Sequence, residues 1–305
     1  MSPAYRVAYK AGYLYQLRHM GYQWRHMAKR SPRLIRAHAA RWRAVLAAES
    51  LTVPPAPFRP AVRFDASGPR LLLSPHPDDA VLNCYSVLTS GAVVQIVNVF
   101  AGIPRPGFAS KFDRACGAQE SATHVRARLA EDEEVLAALG HRPSNLPFLD
   151  VQYGLRRLTR TALDRAAAQV VSTASVVYAP AALGYAHADH LFVRGYALAL
   201  ARAGIPVVLY ADLPYAAALG WPAWVDGAAR TGLPDRADAA WRAALTAVPQ
   251  ITGVEVVALG PDVAAAKLAA MRGYLTQFAM LDDGGLLSDP RTHGHEIYWS
   301  VGSNG

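Results

Sequence analysis

Eight consecutive residues, Val93–Phe100 (VVQIVNVF), set the strongest limit on what this chain can fold into. The run is rich in β-branched residues, lacks strict apolar–polar alternation and is followed closely by Gly102. A strand of that kind has to be covered on both faces. It has company: Arg70–Leu73, Ser175–Tyr178, Val207–Tyr210 and Gly253–Leu259 read as further strands. Between them lie helical segments, Glu120–Leu139 closed by Gly140 and His190–Ala203 stopped by Gly204. Strands alternating with helices predict an α/β fold, a Rossmann-like three-layer sandwich with a mostly parallel sheet. An apolar fraction of 52% is enough for its core.

The first fifty residues differ from the rest. Ten Lys and Arg stand there against Glu49 alone, a charge of +9, whereas the whole 305-residue chain is +8. The basic character therefore belongs to this segment, and net charge gives no ground for nucleic-acid binding. Helical spacing of Tyr5, Tyr9, Tyr13, Leu17 and Met20, followed by the proline-rich stretch Thr52–Pro60, divides the chain. Residues 1–61 are expected to form a basic helical extension with its linker, and residues 62–305 the catalytic domain. The extension fits packing on the body or contact between copies in a homo-oligomer; peripheral contact with an anionic membrane is the second reading. No apolar run approaches the roughly 18 residues that span a bilayer, and no secretory pattern is visible. Two cysteines, Cys84 and Cys116, provide neither a disulfide framework nor a thiolate metal site. A cytoplasmic protein is the expectation.

Ligands of such folds sit beyond the carboxyl ends of the strands. Two His/Asp clusters fall there, SPHPDD after the first strand and YAHADH after the strand at Ser175–Tyr178. His76 and Asp79 are three apart, which places them on one face if a helix begins near Pro77. Either cluster alone is compatible with ordinary helix-start chemistry. Two of them offer one ligand more than the three a catalytic zinc takes while keeping a water position open. Neither strand–loop unit carries a glycine-rich nucleotide motif.

These residues resemble the LmbE/PIG-L family of zinc N-deacetylases. HPDD is present as His76–Asp79 and HxDH as His187–His190, with Arg128, Glu131, Leu139 and Gly140 matching the helix between them. The resemblance covers roughly residues 70–300. Ala80 replaces the acid that usually follows HPDD, as in a recurring variant branch of the family. The resemblance implies zinc held by His76, Asp79 and His190, with Asp78 as general base and His187 as the electrophilic or acid group. It implies Tyr185 near the oxyanion and Arg128 on substrate hydroxyls. Asp189 would hold His187 charged and oriented, and Asp150, after an apolar run, is a second candidate substrate contact. The implied reaction removes an N-acetyl group from an amino sugar or glycoconjugate, a small-molecule N-acyl substrate.

Competing readings are an amidase acting on another N-acyl metabolite, a silent binding module, and a non-haem iron oxygenase using His76, Asp78 and a distant histidine. For Arg128, a surface ion pair with Glu131 or Asp132 is the plainer explanation. Asp113 and Arg114 are loop charges, Asp212 caps a turn or lines a pocket, and Cys84 reads as a small buried hydrophobe. Glu296 and Trp299 either line a pocket or pack the last strand.

Overall fold

A computed structural model describes residues 68–153, 159–183, 187–219, 221–222, 224–225, 241 and 251–302. The expected basic extension of residues 1–61 lies outside them, as does Tyr185.

Seven strands form one sheet: β1 (Arg70–Ser74), β2 (Val94–Asn98), β3 (Pro143–Asn145), β4 (Val176–Pro180), β5 (Val207–Tyr210), β6 (Ile251–Ala258) and β7 (His295–Val301). Their spatial order is β3-β2-β1-β4-β5-β7-β6. β1 pairs in parallel with β2 on one side and β4 on the other, and β5 continues in parallel beyond β4. β7 runs antiparallel between β5 and β6. The described helices are α1 (Asp79–Asn83), α2 (Tyr85–Leu88), α3 (Lys111–Ala115), α4 (Ser121–Ala138), α5 (Arg160–Thr173), α6 (Ala188–Arg202), α7 (Tyr215–Leu219), α8 (Pro261–Arg272), α9 (Phe278–Leu281) and α10 (Pro290–His293).

Burial explains the composition of the central strands. Leu71, Leu72 and Leu73 are consecutive and wholly buried, so successive side chains on both faces of β1 meet core. Every residue of β4 and β5 is buried as well. The edge strand β6 is instead half-buried or exposed at every position except Gly253, as a sheet margin is. β3 went unassigned from sequence because Pro-Ser-Asn carries no apolar run; pairing with β2, and not intrinsic propensity, makes it a strand. At the end of α4, Gly140 takes φ 82°, the left-handed conformation that closes a helix and that glycine adopts without steric cost.

One consequence of strand order matters for function. The chain leaves β1 toward β2 on one side, while β4 and β5 build the other side. That reversal opens a crevice at the carboxyl ends of β1 and β4. The segments after β1, β3, β4 and β5 carry His76, Asp150, His187 and Asp212, respectively.

Candidate metal centre

The turn after β1 is more irregular than the spacing of His76 and Asp79 suggests. The helix begins at Asp79, so His76 lies outside it. A local hydrogen bond draws the pair together: the His76 N–H donates to Asp79 Oδ2 at 2.9 Å. Ser74 Oγ fixes the same turn, donating to the His76 carbonyl at 2.6 Å and accepting from the Ala80 N–H at 3.2 Å. Between them Asp78 adopts φ 148°, ψ −35°, a region costly for any residue with a Cβ. Strain of this kind persists where surrounding contacts over-determine it, commonly at functional sites. Gln277 supplies one such contact, donating from Nε2 to the Pro77 carbonyl at 3.1 Å.

His76, Asp79 and His190 converge, all three buried, with their candidate ligand atoms within 4.8 Å of one another. Asp79 Oδ2 lies 3.4 Å from His76 Nδ1 and 3.3 Å from His190 Nε2. Ligand atoms about 2 Å from a tetrahedral ion stand about 3.3 Å apart, so this spacing fits a divalent metal. The far nitrogens of both rings meet carboxylates. His76 Nε2 is 3.1 Å from Asp189 Oδ2, and His190 Nδ1 is 3.0 Å from Asp212 Oδ2. Such partners fix the tautomer and direct the remaining lone pair at the metal. The set is thus two imidazole nitrogens and one carboxylate, each with its outer support in place.

The electrostatics agree. Burial opposes ionisation of Asp79, but the His190 and His76 rings outweigh it and hold the carboxyl well below its ordinary range. Burial opposes protonation of His190, yet Asp79 and Asp212 raise it to about 9. Without a cation, protons on the histidines balance the carboxylates; a metal ion replaces them.

Asp78 is not part of this cluster. Its Oδ2 lies 3.8 Å from Arg128 Nη2, and burial together with the Asp79 charge pushes its carboxyl up to about 7, against the pull of Arg128. A metal triad built on His76 and Asp78, as the oxygenase reading needs, is therefore not the cluster that forms. Arg128 is itself only 6% exposed, which overturns its reading as a surface ion pair. Its helical neighbours are engaged elsewhere: Glu131 accepts from Thr276 Oγ1 at 2.7 Å, and Asp132 accepts from Asn98 at 2.6 Å and Tyr274 at 2.8 Å.

His187, Asp150 and Asp189 sit on the opposite side of His76. Asp189 Oδ2 accepts from the Val151 N–H at 3.0 Å as well as facing His76, whereas His187 Nδ1 stands 3.6 Å from it and has no hydrogen-bond partner. Asp189 therefore orients His76 rather than His187, because the first turn of α6 aims its carboxylate at the β1 loop. Burial lowers the His187 pKa, with Asp189 and Asp150 opposing. Asp150 Oδ2 lies 3.6 Å from His76 Nε2 and its Oδ1 lies 3.9 Å from His187 Nε2. Burial opposes its ionisation, but those two rings help bring it down to about 2.

Several sequence candidates find other places. Asp113 is wholly buried, accepting from Ser121 Oγ at 2.5 Å and Tyr153 OH at 3.2 Å, while Arg114 lies on the wall of an open cavity of about 680 Å³ with Phe108 and Glu120. Glu296 is structural: it accepts from Lys267 Nζ at 2.7 Å and from the Tyr85 N–H at 2.8 Å, at the start of α2. Trp299 packs inside the core, and so does Cys84, whose thiol burial pushes up. Asp212, which the sequence leaves between a pocket residue and a turn cap, faces the His190 ring; an acid directly after a buried strand is the signal that points to the first.

Among the described residues, no helix is long and apolar enough to cross a membrane. Residues 71–201 match the family described as PIG-L: GlcNAc-PI de-N-acetylase. Over 175 residues the chain is 31% identical to 2'-N-acetylparomamine deacetylase of Streptomyces fradiae, a match covering 49% of this chain and 58% of that protein. Among solved structures, the A40926 pseudoaglycone deacetylase superposes with a TM-score of 0.58 at 26% identity, over 79% of this chain and all of the other. A deacetylase of the teicoplanin pathway, crystallised as a triple mutant, gives a TM-score of 0.57 at 26% identity, over 76% of this chain and 96% of that one. The stretch that matches that family, residues 71–201, carries both histidine motifs, and the chain spans 58% of the length of the curated relative it matches.

Proposed function

We propose that this protein is a zinc-dependent N-deacetylase that hydrolyses the acetamide of an amino sugar carried on a larger conjugate. One observation carries the reading: a buried His76–Asp79–His190 donor set lies directly beside an unligated carboxylate, Asp78. Two histidines and one carboxylate suit zinc with a position left open. Zinc bound there would polarise the amide carbonyl and acidify a water molecule.

The remaining work falls to the chain. Asp78, adjacent to the donor set yet held by Arg128, accepts the proton of the attacking water. His187, with a side chain 20% exposed, acts as the electrophilic group at the carbonyl oxygen, and the proton that Asp78 takes from the water is returned to the departing amine. The C–N bond breaks, leaving acetate and a free amine. Arg128 and Asp150 offer a donor fork and a fixed acceptor for sugar hydroxyls. Tyr185, from the family pattern, is assigned to the oxyanion. Relatives named for 2'-N-acetylparomamine and for the A40926 pseudoaglycone support the substrate class. We place the enzyme in the cytoplasm, acting on small molecules.

The test is a panel of N-acetyl sugars, nucleotide sugars and acylated glycoconjugates assayed for released amine, with zinc-loaded and chelator-treated protein side by side. Amine release that depends on zinc supports the proposal. Equal rates without metal, or no release from any panel member by the loaded enzyme, would overturn it.

A further inference from the structure

The chain between β2 and α4 walls an open cavity of about 680 Å³, lined by Phe108, Arg114, Gln119 and Glu120 together with small residues. No step of the proposed hydrolysis uses it. Its polar walls are held in place by bonds within the loop. The Glu120 carboxylate accepts from the Gly107 N–H at 2.9 Å and from Thr123 Oγ1 at 2.8 Å, and Arg114 Nη1 donates to the Ala109 carbonyl. The Phe108 carbonyl accepts from the Ser121 N–H at 2.9 Å, and the Ser110 N–H donates to Ser121 Oγ at 2.8 Å. Walls fixed in this way bind a ligand without the cost of ordering themselves.

Two connections lead from this loop to the candidate site. Asp150 Oδ2 accepts from Gln152 Nε2 at 2.9 Å, and Gln152 Oε1 accepts from Ser110 Oγ at 2.7 Å, two residues from Phe108. The second connection is aromatic: the Phe108 and Tyr153 rings meet edge to face, with centroids 6.3 Å apart and planes at 73°. Tyr153 in turn donates its hydroxyl to the buried Asp113 at 3.2 Å. The cavity wall is thereby anchored to the single helical turn Val151–Tyr153, which follows Asp150 directly.

The lining suits one chemical class. Arg114 and Glu120 carry opposite charges, so the cavity has no net attraction for an ion, and Gln119 adds a neutral donor and acceptor. A half-buried aromatic ring beside fixed donors and acceptors matches a ligand with C–H groups on its faces and hydroxyls around its rim. We propose that this cavity is a subsite for an uncharged polyhydroxylated ring, a sugar or cyclitol, with Phe108 against one face and Arg114, Gln119 and Glu120 on its hydroxyls. Tyr153 is a positioning residue: it holds the Phe108 ring and is itself held by Asp113. Placing that ring beside the acetamido sugar of a conjugate rests on the proposed function; the affinity of the cavity for it does not.

The experiment measures binding to the full chain with probes that carry no acetyl group to remove. Glucosamine is compared with a panel of disaccharides in which glucose is joined to it through different linkages, by calorimetry and saturation-transfer NMR. The second ring should tighten binding by about tenfold for at least one linkage, the effect of one stacked ring and a hydrogen bond or two. Saturation should pass to the glucose protons as well. Phe108→Ala and Glu120→Gln should each remove most of that gain. Glu120→Gln keeps an acceptor for the Gly107 N–H, so the test stays decisive if Phe108→Ala folds poorly. No gain for any linkage overturns the proposal, as does a gain that survives either folded variant. A larger gain from glucuronic acid than from glucose in the second position overturns it too. Amine release is not read in this assay, so failure of the functional reading is distinguishable.

Discussion

The Asn83 side-chain oxygen accepts the Leu213 N–H at 2.6 Å, joining positions 130 residues apart in the chain. The same carboxamide donates to the Asp79 carbonyl at 2.8 Å and reaches its Oδ1 at 3.4 Å. Leu213 follows Asp212, which holds the His190 ring. Asn83 thus ties together the loops that set the candidate ligands Asp79 and His190, and it is buried.

Removing that tie should loosen the metal centre. Asn83→Ala is expected to weaken metal binding by about tenfold to a hundredfold, the usual effect of losing an outer partner of a ligand. Asp212→Asn should act similarly through His190. Chelator-competition titration measures both. A Leu163→Ala variant, in the core under α5, should unfold at lower temperature with metal affinity unchanged.

Replacing a ligand should have a different signature. His190→Ala is expected to purify without stoichiometric metal and to lose turnover, and added metal should not restore the rate. Elemental analysis of the dialysed protein checks the first statement, and amine release the second.

Asp78 separates binding from chemistry. Since it lies outside the donor set, Asp78→Asn should keep its metal while kcat falls by about a hundredfold to ten-thousandfold, the range for a lost general base. The pH profile has a defined sign. A base works only when ionised, and burial with the Asp79 charge raises this carboxyl to about 7. A cation on Asp79 relieves part of that repulsion and lowers the value. Activity should therefore decline as pH falls, with its midpoint at or below about 7, and the Asn variant should lose that limb.

Lys267 and Glu296 form a buried ion pair at 2.7 Å, remote from the ligand atoms in role. Lys267→Met leaves a buried carboxylate whose remaining partners are Tyr85, Ser86 and Tyr298. Removing one member of such a pair costs about 3–5 kcal/mol. Urea unfolding should show a loss of that order, with metal affinity preserved in the folded protein.

Read in order along the chain, the amino acids determined the central strands and the positions of His76, Asp79 and His190. Those signals are local: a β-branched run reports burial on two faces, and a histidine cluster after a strand reports its place at the sheet's carboxyl edge. Two other strands, β3 and β7, were less legible. β3 owes its form to a neighbour, and β7 is antiparallel because of how the chain returns between β5 and β6. Only the folded structure decided that Asp189 serves His76, that Asp212 serves His190, and that Arg128 is buried against Asp78. Each of those facts depends on which distant loops meet at the crevice between β1 and β4. Side-chain partners over such distances are chosen by packing and charge compensation in three dimensions, which residue spacing along the chain does not encode.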